Sequence, residues 1–442
     1  MEKFVMKLKP WQEPLAKYQT ETLRDNRAFL SACHTGSGKT YLAAATIRDL
    51  KMPTLVVCPK VSVSQWKSVL EGMDAMKYTV GVVNPERLIA SKTNGYYSPS
   101  EGWNWERIGT PALLVFDEIH RGASGVDSKT TEAVARWITA RTPNNKVLAM
   151  SATPFDSPLK MRAIGYLMGL HNFTKPGFYR WCGNHGCRLI PRPTGRSFEF
   201  TKNRNEARAA MLSIRNAIGA RFMSVGPDDI PDFPDEVLEV VRLDLNERDH
   251  AALERAYEEM PERMGRVGSD ERVKLMRLRQ QAEFCKAEAM AEMAANLVED
   301  GNSVFIMLNY TDARLRVEER LRKLGIDYVS IYGGQKDSER EASVTKFQSN
   351  EVPVLIGMAS ACGVALSLHD ERKERPRVSL ISPGYSSSEF RQGLGRIRRV
   401  GGTRAVQKIV IAANSVEERV GKALERKLEN LDALTDNELE RK

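Results

Sequence analysis

The chain has 442 residues, 42% of them hydrophobic and 28% charged, as in an ordinary globular protein long enough for two domains with separate cores. No run of 18 apolar residues is present, which argues against a membrane span, and the opening "MEKFVMKLKPWQEPL" lacks the apolar stretch of a secretory leader. Six cysteines scattered at 33, 58, 182, 187, 285 and 362 exclude a disulfide scaffold and point to a reducing, intracellular setting, and the formal net charge of +9 favours a polyanionic partner, most often nucleic acid.

In chain order, the first clear element is an apolar strand entering "FLSACHTGSGKT" (29–40), followed by a glycine loop and then the helix pattern "YLAAATIRDL". Short apolar, β-branched runs follow at 54–59, 79–84, 113–118 and 146–152, and a second set stands at 303–308, 327–333, 353–358, 377–382 and 407–413. Most are apolar on both faces, as strands of a buried parallel sheet are. Helix patterns such as "TDARLRVEERLRKLG" (311–325) and "SEREASVTKFQS" (338–349) alternate with them. The alternation predicts an α/β fold with two parallel-sheet domains. Between 156 and about 300 the strand signals thin out and helix dominates, with a Pro- and Asp-rich linker at 225–236. The chain closes on a charged amphipathic helix at 415–431.

Three stretches carry chemistry. "CHTGSGKT" matches the phosphate-binding pattern G-x-x-x-x-G-K-[ST] except that Cys33 holds the first glycine position. Its strand–loop–helix setting is what a phosphate cradle needs: main-chain N–H groups and a helix N-terminus face the phosphates, Lys39 reaches the β and γ oxygens, and Thr40 offers a hydroxyl to Mg²⁺. Thr35, Gly36, Ser37 and Gly38 complete the loop. "LLVFDEIH" (113–120) then delivers two carboxylates at the C-terminal end of a strand, where α/β ligand sites lie. Asp117 suits Mg²⁺, and Glu118 suits the orientation of an attacking water. In "RQGLGRIRRVGG" (391–402), Gln392, Arg396 and Arg399 are spaced so that a helix turn can present them together. Two readings of the arginines are open: fingers that reach the γ-phosphate, or a basic surface helix that binds phosphate backbones.

In order along the chain, these pieces resemble the superfamily 2 helicases and translocases over nearly the whole length. "DEIH" is similar to motif II, "SATP" (151–154) to motif III, "NPER" (84–87) to the Thr-Pro-x-Arg motif with Asn84 in place of threonine, and "QGLGRIRR" to motif VI. The family's motif I commonly has Ala or Ser at the first glycine position. Within the family the chain looks most like the Swi/Snf-type translocases. "KPWQEPL" (9–15) is similar to the segment before their motif I, "LVVCPKVSVSQWKSVLE" (55–71) to their motif Ia, and "RFMSVGPDDIPDFPDEVLEVVRLDLNERD" (221–249) to their Arg-rich bridge, with Phe222 where a second arginine is usual.

The resemblance implies two RecA-like lobes in tandem with a helical insertion between motifs III and IV. The boundaries it suggests are 1–227 for an N-terminal ATP-binding lobe, with an insertion at about 157–225, and 228–442 for a C-terminal lobe with a protrusion at about 246–300. It implies an ATP- and Mg²⁺-dependent motor with ATP in the cleft between lobes. Gln12 would read adenine, Lys39 and Thr40 would hold phosphate and metal, and Asp117 would complete the metal shell. Glu118, Gln392, Arg396 and Arg399 would be catalytic. His120, Ser151 and Thr153 would couple hydrolysis to movement. Lys60, Asn84, Arg87 and Ser360 would grip the backbone of DNA, expected to be double-stranded and bound without sequence preference by a monomer. An RNA helicase and a non-travelling ATP switch remain as alternatives. "WCGNHGC" brings Cys182, His185 and Cys187 together near His171, but the spacing fits no structural zinc pattern. His34 reads as a loop residue, and the arginines of 271–281 as either a solvated helix face or a DNA track.

Overall fold

The computed structural model describes residues 6–90, 95–139, 144–192, 195–258, 269–362, 366–384 and 386–435. Among them two compact units form: one of residues up to 190, 198–231 and from 429 on, the other of 191–197 and 232–428.

The first unit is built on a six-stranded sheet. Its strands are β1 (Ala28–Ser31), β2 (Thr54–Val57) and β3 (Thr79–Val83), then β6 (Leu113–Asp117), β7 (Lys146–Met150) and β10 (Phe222–Met223). The short strands β4 (Tyr97–Ser98) and β5 (Gly102–Trp103) pair apart from it as an antiparallel ribbon. The order is β10-β1-β7-β6-β2-β3, and every pair is parallel. Ala28 and Leu30, Leu55 and Val57, and Leu114 and Phe116 alternate into one apolar core, while Phe29, Val56 and Val115 between them are equally buried. Both faces are covered, which is why these runs show no polar alternation.

The second unit repeats the plan. Its sheet holds β11 (Glu236–Leu243), β12 (Ser303–Leu308), β13 (Tyr328–Ile331), β14 (Val354–Met358), β15 (Arg377–Ile381) and β16 (Ala405–Ala412), in the order β11-β16-β15-β12-β14-β13, again all parallel. Val304, Ile306 and Leu308 enter one core, and Phe305 and Met307 the other. The helix Ser269–Glu299 lays Ala287, Met290, Ala291 and Ala294, a stripe of helical period, onto the first of these. These are two RecA-like α/β lobes in tandem, as expected from the sequence.

The stretch between 156 and 300 is less helical than predicted. After the helices Arg162–Leu167 and Lys175–Asn184 comes a two-stranded hairpin, β8 (Cys187–Arg192) and β9 (Gly195–Phe200), before the helix Arg204–Ile218. Pro191 and the charged residues of these strands hide them from an apolar-run search. Phe222, where an Arg-rich bridge usually has a second arginine, lies in the sheet: β10 pairs with β1, and Phe222 is buried under the Arg215 guanidinium. The segment read as bridge and linker also contains β11, an edge strand whose Leu238 and Val240 are half exposed.

A buried ion pair ties this second lobe together. Lys286 Nζ donates to both carboxylate oxygens of Glu417 at 2.7 Å and to the carbonyl of Val410, with the two side chains 0% and 3% exposed. Glu417 also accepts the N–H of Ala412. Lys286→Ala would strand a buried carboxylate and should lower unfolding stability by about 3–5 kcal/mol. A urea melt checks this, and a loss below about 1 kcal/mol would show that the carboxylate finds other compensation.

Candidate active site

The phosphate loop leaves β1 and enters the helix Lys39–Leu50. Gly36 and Gly38 adopt left-handed φ values of 88° and 81°, which glycine reaches without penalty. A side chain at Gly38 would also strike the Gln12 amide. Cys33 is absent from the positive-φ residues and fully buried, so its position makes no demand for glycine. Lys39 Nζ folds back on the loop and donates to the carbonyls of Cys33 (2.8 Å) and His34 (3.2 Å). Gln12, buried at the start of the helix Gln12–Asp25, donates through Nε2 to Ser37 O at 2.8 Å and accepts the N–H of Lys9. It therefore braces the loop from behind. Ser37 Oγ is buried with no hydrogen-bond partner inside the protein. Thr35 and Thr40 are half-buried, the latter in the first turn of the helix.

Two strands away, β6 ends on Asp117, and Glu118 follows with a left-handed φ of 52°. Burial first, and the neighbouring Glu118 carboxylate second, push Asp117 up to about 6, while Lys39 and a hydrogen bond from Trp66 oppose the shift. His120 Nδ1 lies 2.7 Å from Ser151 Oγ and 3.2 Å from Glu118 Oε2, and Ser151 Oγ accepts the N–H of Thr153 at 3.0 Å. Burial drives His120 down to about 3, so the imidazole is neutral at physiological pH. His120 is thus hydrogen-bonded to Ser151, which accepts from Thr153, and stands beside Glu118 across the ends of β6 and β7, which pair in the sheet.

The predicted backbone-gripping residues of the first lobe share an edge. Lys60, exposed, follows β2; Asn84 and exposed Arg87 follow β3, its parallel neighbour. Asn84 caps the helix Pro85–Ile89, accepting the N–H of Arg87 at 2.7 Å. Ser360 stands exposed after β14 in the second lobe.

Gln392, Arg396 and Arg399 depart from the expected geometry. The helix Ser387–Leu394 carries Gln392 but stops at Leu394, so both arginines lie in the turns beyond it rather than on a shared helix. The Gly393–Leu394–Gly395 step accounts for the stop, since glycine weakens a helix. A side chain at Gly393 would also meet the Met307 sulfur at 2.7 Å, so the flexible end of Met307 on β12 would have to shift to admit it. Arg396 Nη1 (3.2 Å) and Arg399 Nη2 (2.9 Å) still converge, on the carbonyl of Leu366. Burial lowers Arg399 to about 10, leaving it charged at neutral pH.

Sequence reasoning missed the role of Trp66, whose indole N–H donates to Asp117 Oδ2 at 3.0 Å from 51 residues away. Its only signal was a tryptophan in the segment similar to motif Ia. The histidines of the "WCGNHGC" region place Nδ1 against main-chain carbonyls, His171 on Asn172 and His185 on Trp181. Among the described residues no group of three or more His, Cys, Asp or Glu gathers as metal ligands. His34 Nδ1 meets the Thr35 carbonyl. Of the 271–281 arginines, Arg277 is exposed and Arg279 sits over the Tyr310 ring, while the Arg272 side chain lies outside the described residues.

The donor set suits a nucleotide and a divalent cation. Two adjacent, poorly solvated carboxylates beside a single lysine lack positive charge, and Thr40 adds an oxygen of the kind Mg²⁺ takes. A phosphate-loop fold of two tandem α/β lobes, with an Asp-Glu pair and an arginine-rich turn, defines a nucleoside triphosphatase of the motor class. Residues 5–156 match the family model described as type III restriction enzyme, res subunit, and residues 285–401 match helicase conserved C-terminal domain. The two matches and the relatives that follow support a superfamily 2 helicase or translocase. It is similar to a putative ATP-dependent RNA helicase of Acanthamoeba polyphaga mimivirus, with 28% identity over 93% of this chain and 80% of the relative. An ATP-dependent helicase of Schizosaccharomyces pombe is 31% identical over 27% of this chain and 14% of its own length. A SNF2 domain-containing protein of Oryza sativa subsp. japonica is 26% identical over 31% and 14%. The family makes this chain an ATP-hydrolysing, helicase-type enzyme with a nucleic-acid partner. Among the described residues no helix is long and apolar enough to cross a membrane.

Proposed function

We propose that the chain is a DNA-dependent ATPase motor of the Swi/Snf type, working inside the cell as a monomer. It grips duplex backbone without sequence preference and turns hydrolysis into translocation or remodelling. The observation that carries the motor reading is His120, hydrogen-bonded to Ser151 and 3.2 Å from Glu118. It links the carboxylate assigned to water positioning with the segment that resembles motif III.

In this reading Gln12 contacts the base while bracing the loop. Lys39 exchanges its two loop carbonyls for phosphate oxygens. Thr40 and Asp117 hold Mg²⁺, which when bound supplies charge that offsets the phosphates. Glu118 orients the attacking water. Arg396 and Arg399 release the Leu366 carbonyl and, with Gln392, meet the transferring phosphoryl. Lys60, Asn84, Arg87 and Ser360 hold the nucleic-acid backbone. DNA as substrate is supported by the SNF2-domain relative and by the long segment between motifs III and IV. A second reading, an RNA helicase, is favoured by the name of the viral relative that spans most of the chain.

The deciding measurement is steady-state ATPase activity against duplex DNA, single-stranded DNA and RNA at several salt concentrations. Duplex DNA should stimulate most, with an apparent affinity that falls steeply with salt. Stimulation by RNA alone would transfer the assignment to the second reading.

A further inference from the structure

We propose that Trp66 is a positioning residue for the metal-holding carboxylate, fixing Asp117 through its indole N–H. The inference rests on the reading of Asp117 as a Mg²⁺ ligand. Trp66 sits in the first turn of the helix Val63–Gly72, which follows β2. β2 pairs with β6, Val57 standing beside Phe116, so the helix places its indole next to the residue that ends β6. The side chain is 1% exposed, and its single donor is spent on Asp117 Oδ2 at 3.0 Å.

Filling the space under the helix would take any large apolar side chain; the N–H is superfluous to packing. A buried donor aimed at a carboxylate selects one rotamer of that carboxylate and holds it before any cation arrives. Groups that orient metal ligands in this way typically change metal affinity about 10- to 100-fold when removed. Lys39, the cation near Asp117, is engaged with the carbonyls of Cys33 and His34. The Glu118 main-chain N–H also donates to Asp117, which leaves the Trp66 indole as the side chain that orients the carboxylate.

Trp66→Phe keeps the aromatic packing and deletes the donor. The folded variant should bind Mn²⁺ in the presence of ADP, followed by electron paramagnetic resonance, roughly 10- to 100-fold more weakly than wild type. The Mg²⁺ concentration for half-maximal ATPase should rise by a similar factor, with kcat at saturating Mg²⁺ recovering to within a few-fold. A structural filler would instead change the melting temperature and leave the Mn²⁺ affinity alone, and that result overturns the proposal. Asp117→Asn is the control. Wild-type Mn²⁺ affinity in that variant removes Asp117 as a ligand, so the site reading fails, whereas loss there with no change in Trp66→Phe sinks only the role of Trp66. Should Trp66→Phe not fold, wild-type protein with ¹⁵N-labelled tryptophan serves. The Trp66 indole N–H resonance should shift when Mg²⁺ is added to the ADP-bound protein, and an unmoved resonance overturns the proposal.

Discussion

Lys39→Ala should leave a folded protein whose ATP turnover falls by orders of magnitude. Phosphoryl transfer depends mainly on positioning and on charge placed where it develops, so deleting the one loop cation removes a large share of the stabilisation. The structure adds a second expectation. Lys39 holds the Cys33 and His34 carbonyls together, and the alanine variant loses both hydrogen bonds. The loop itself is braced independently by Gln12 on Ser37 O and by the His34 N–H on Val225 O. Melting temperature should therefore move little while kcat collapses. Near-normal turnover in a folded variant would end the phosphate-loop assignment.

Arg399→Ala separates the two readings of the arginine-rich turn. A finger contributes only at the transferring phosphoryl, so kcat should drop by roughly 10³-fold or more, while nucleotide-free DNA affinity stays near wild type. A backbone-gripping arginine predicts the reverse. Affinity weakens for every sequence, the salt slope shrinks by about one unit, and kcat recovers at saturating DNA. Because Arg396 and Arg399 both donate to Leu366 O, each restrains the same loop. The double variant should accordingly cost less than the product of the two single effects. Full recovery of kcat at high DNA would leave Arg396 as the finger candidate.

The lobes were legible because their strands are buried on both faces. "SVFIML" and "PVLIGM" announce themselves as unbroken apolar runs. β11 is hard to read because an edge strand needs only partial burial, and "EVLEVVRL" carries glutamates and an arginine and follows directly on an Asp-rich linker. The termination of the last motif helix at Leu394 was in view in its two glycines, yet the spacing of Gln392, Arg396 and Arg399 suggested a continuous turn. Site residues held by local order, such as Gly38, Lys39 and Asp117, could be read from the motifs. Contacts made by strand adjacency could not. The His120–Ser151 and Trp66–Asp117 hydrogen bonds span 31 and 51 residues, and they exist because β6 lies between β7 and β2. No periodicity encodes that neighbourhood; it follows from sheet order.

Glu118 occupies a backbone conformation that a glutamate adopts at a cost of order 1–3 kcal/mol. Asparagine tolerates the left-handed region better, so a population selected only for resistance to heat would drift towards the Glu118→Asn change. Such a drift would exchange the carboxylate assigned to water for a shorter, uncharged amide and give up the contact with His120. On the role proposed for Glu118, durability and speed are competing traits at this one position.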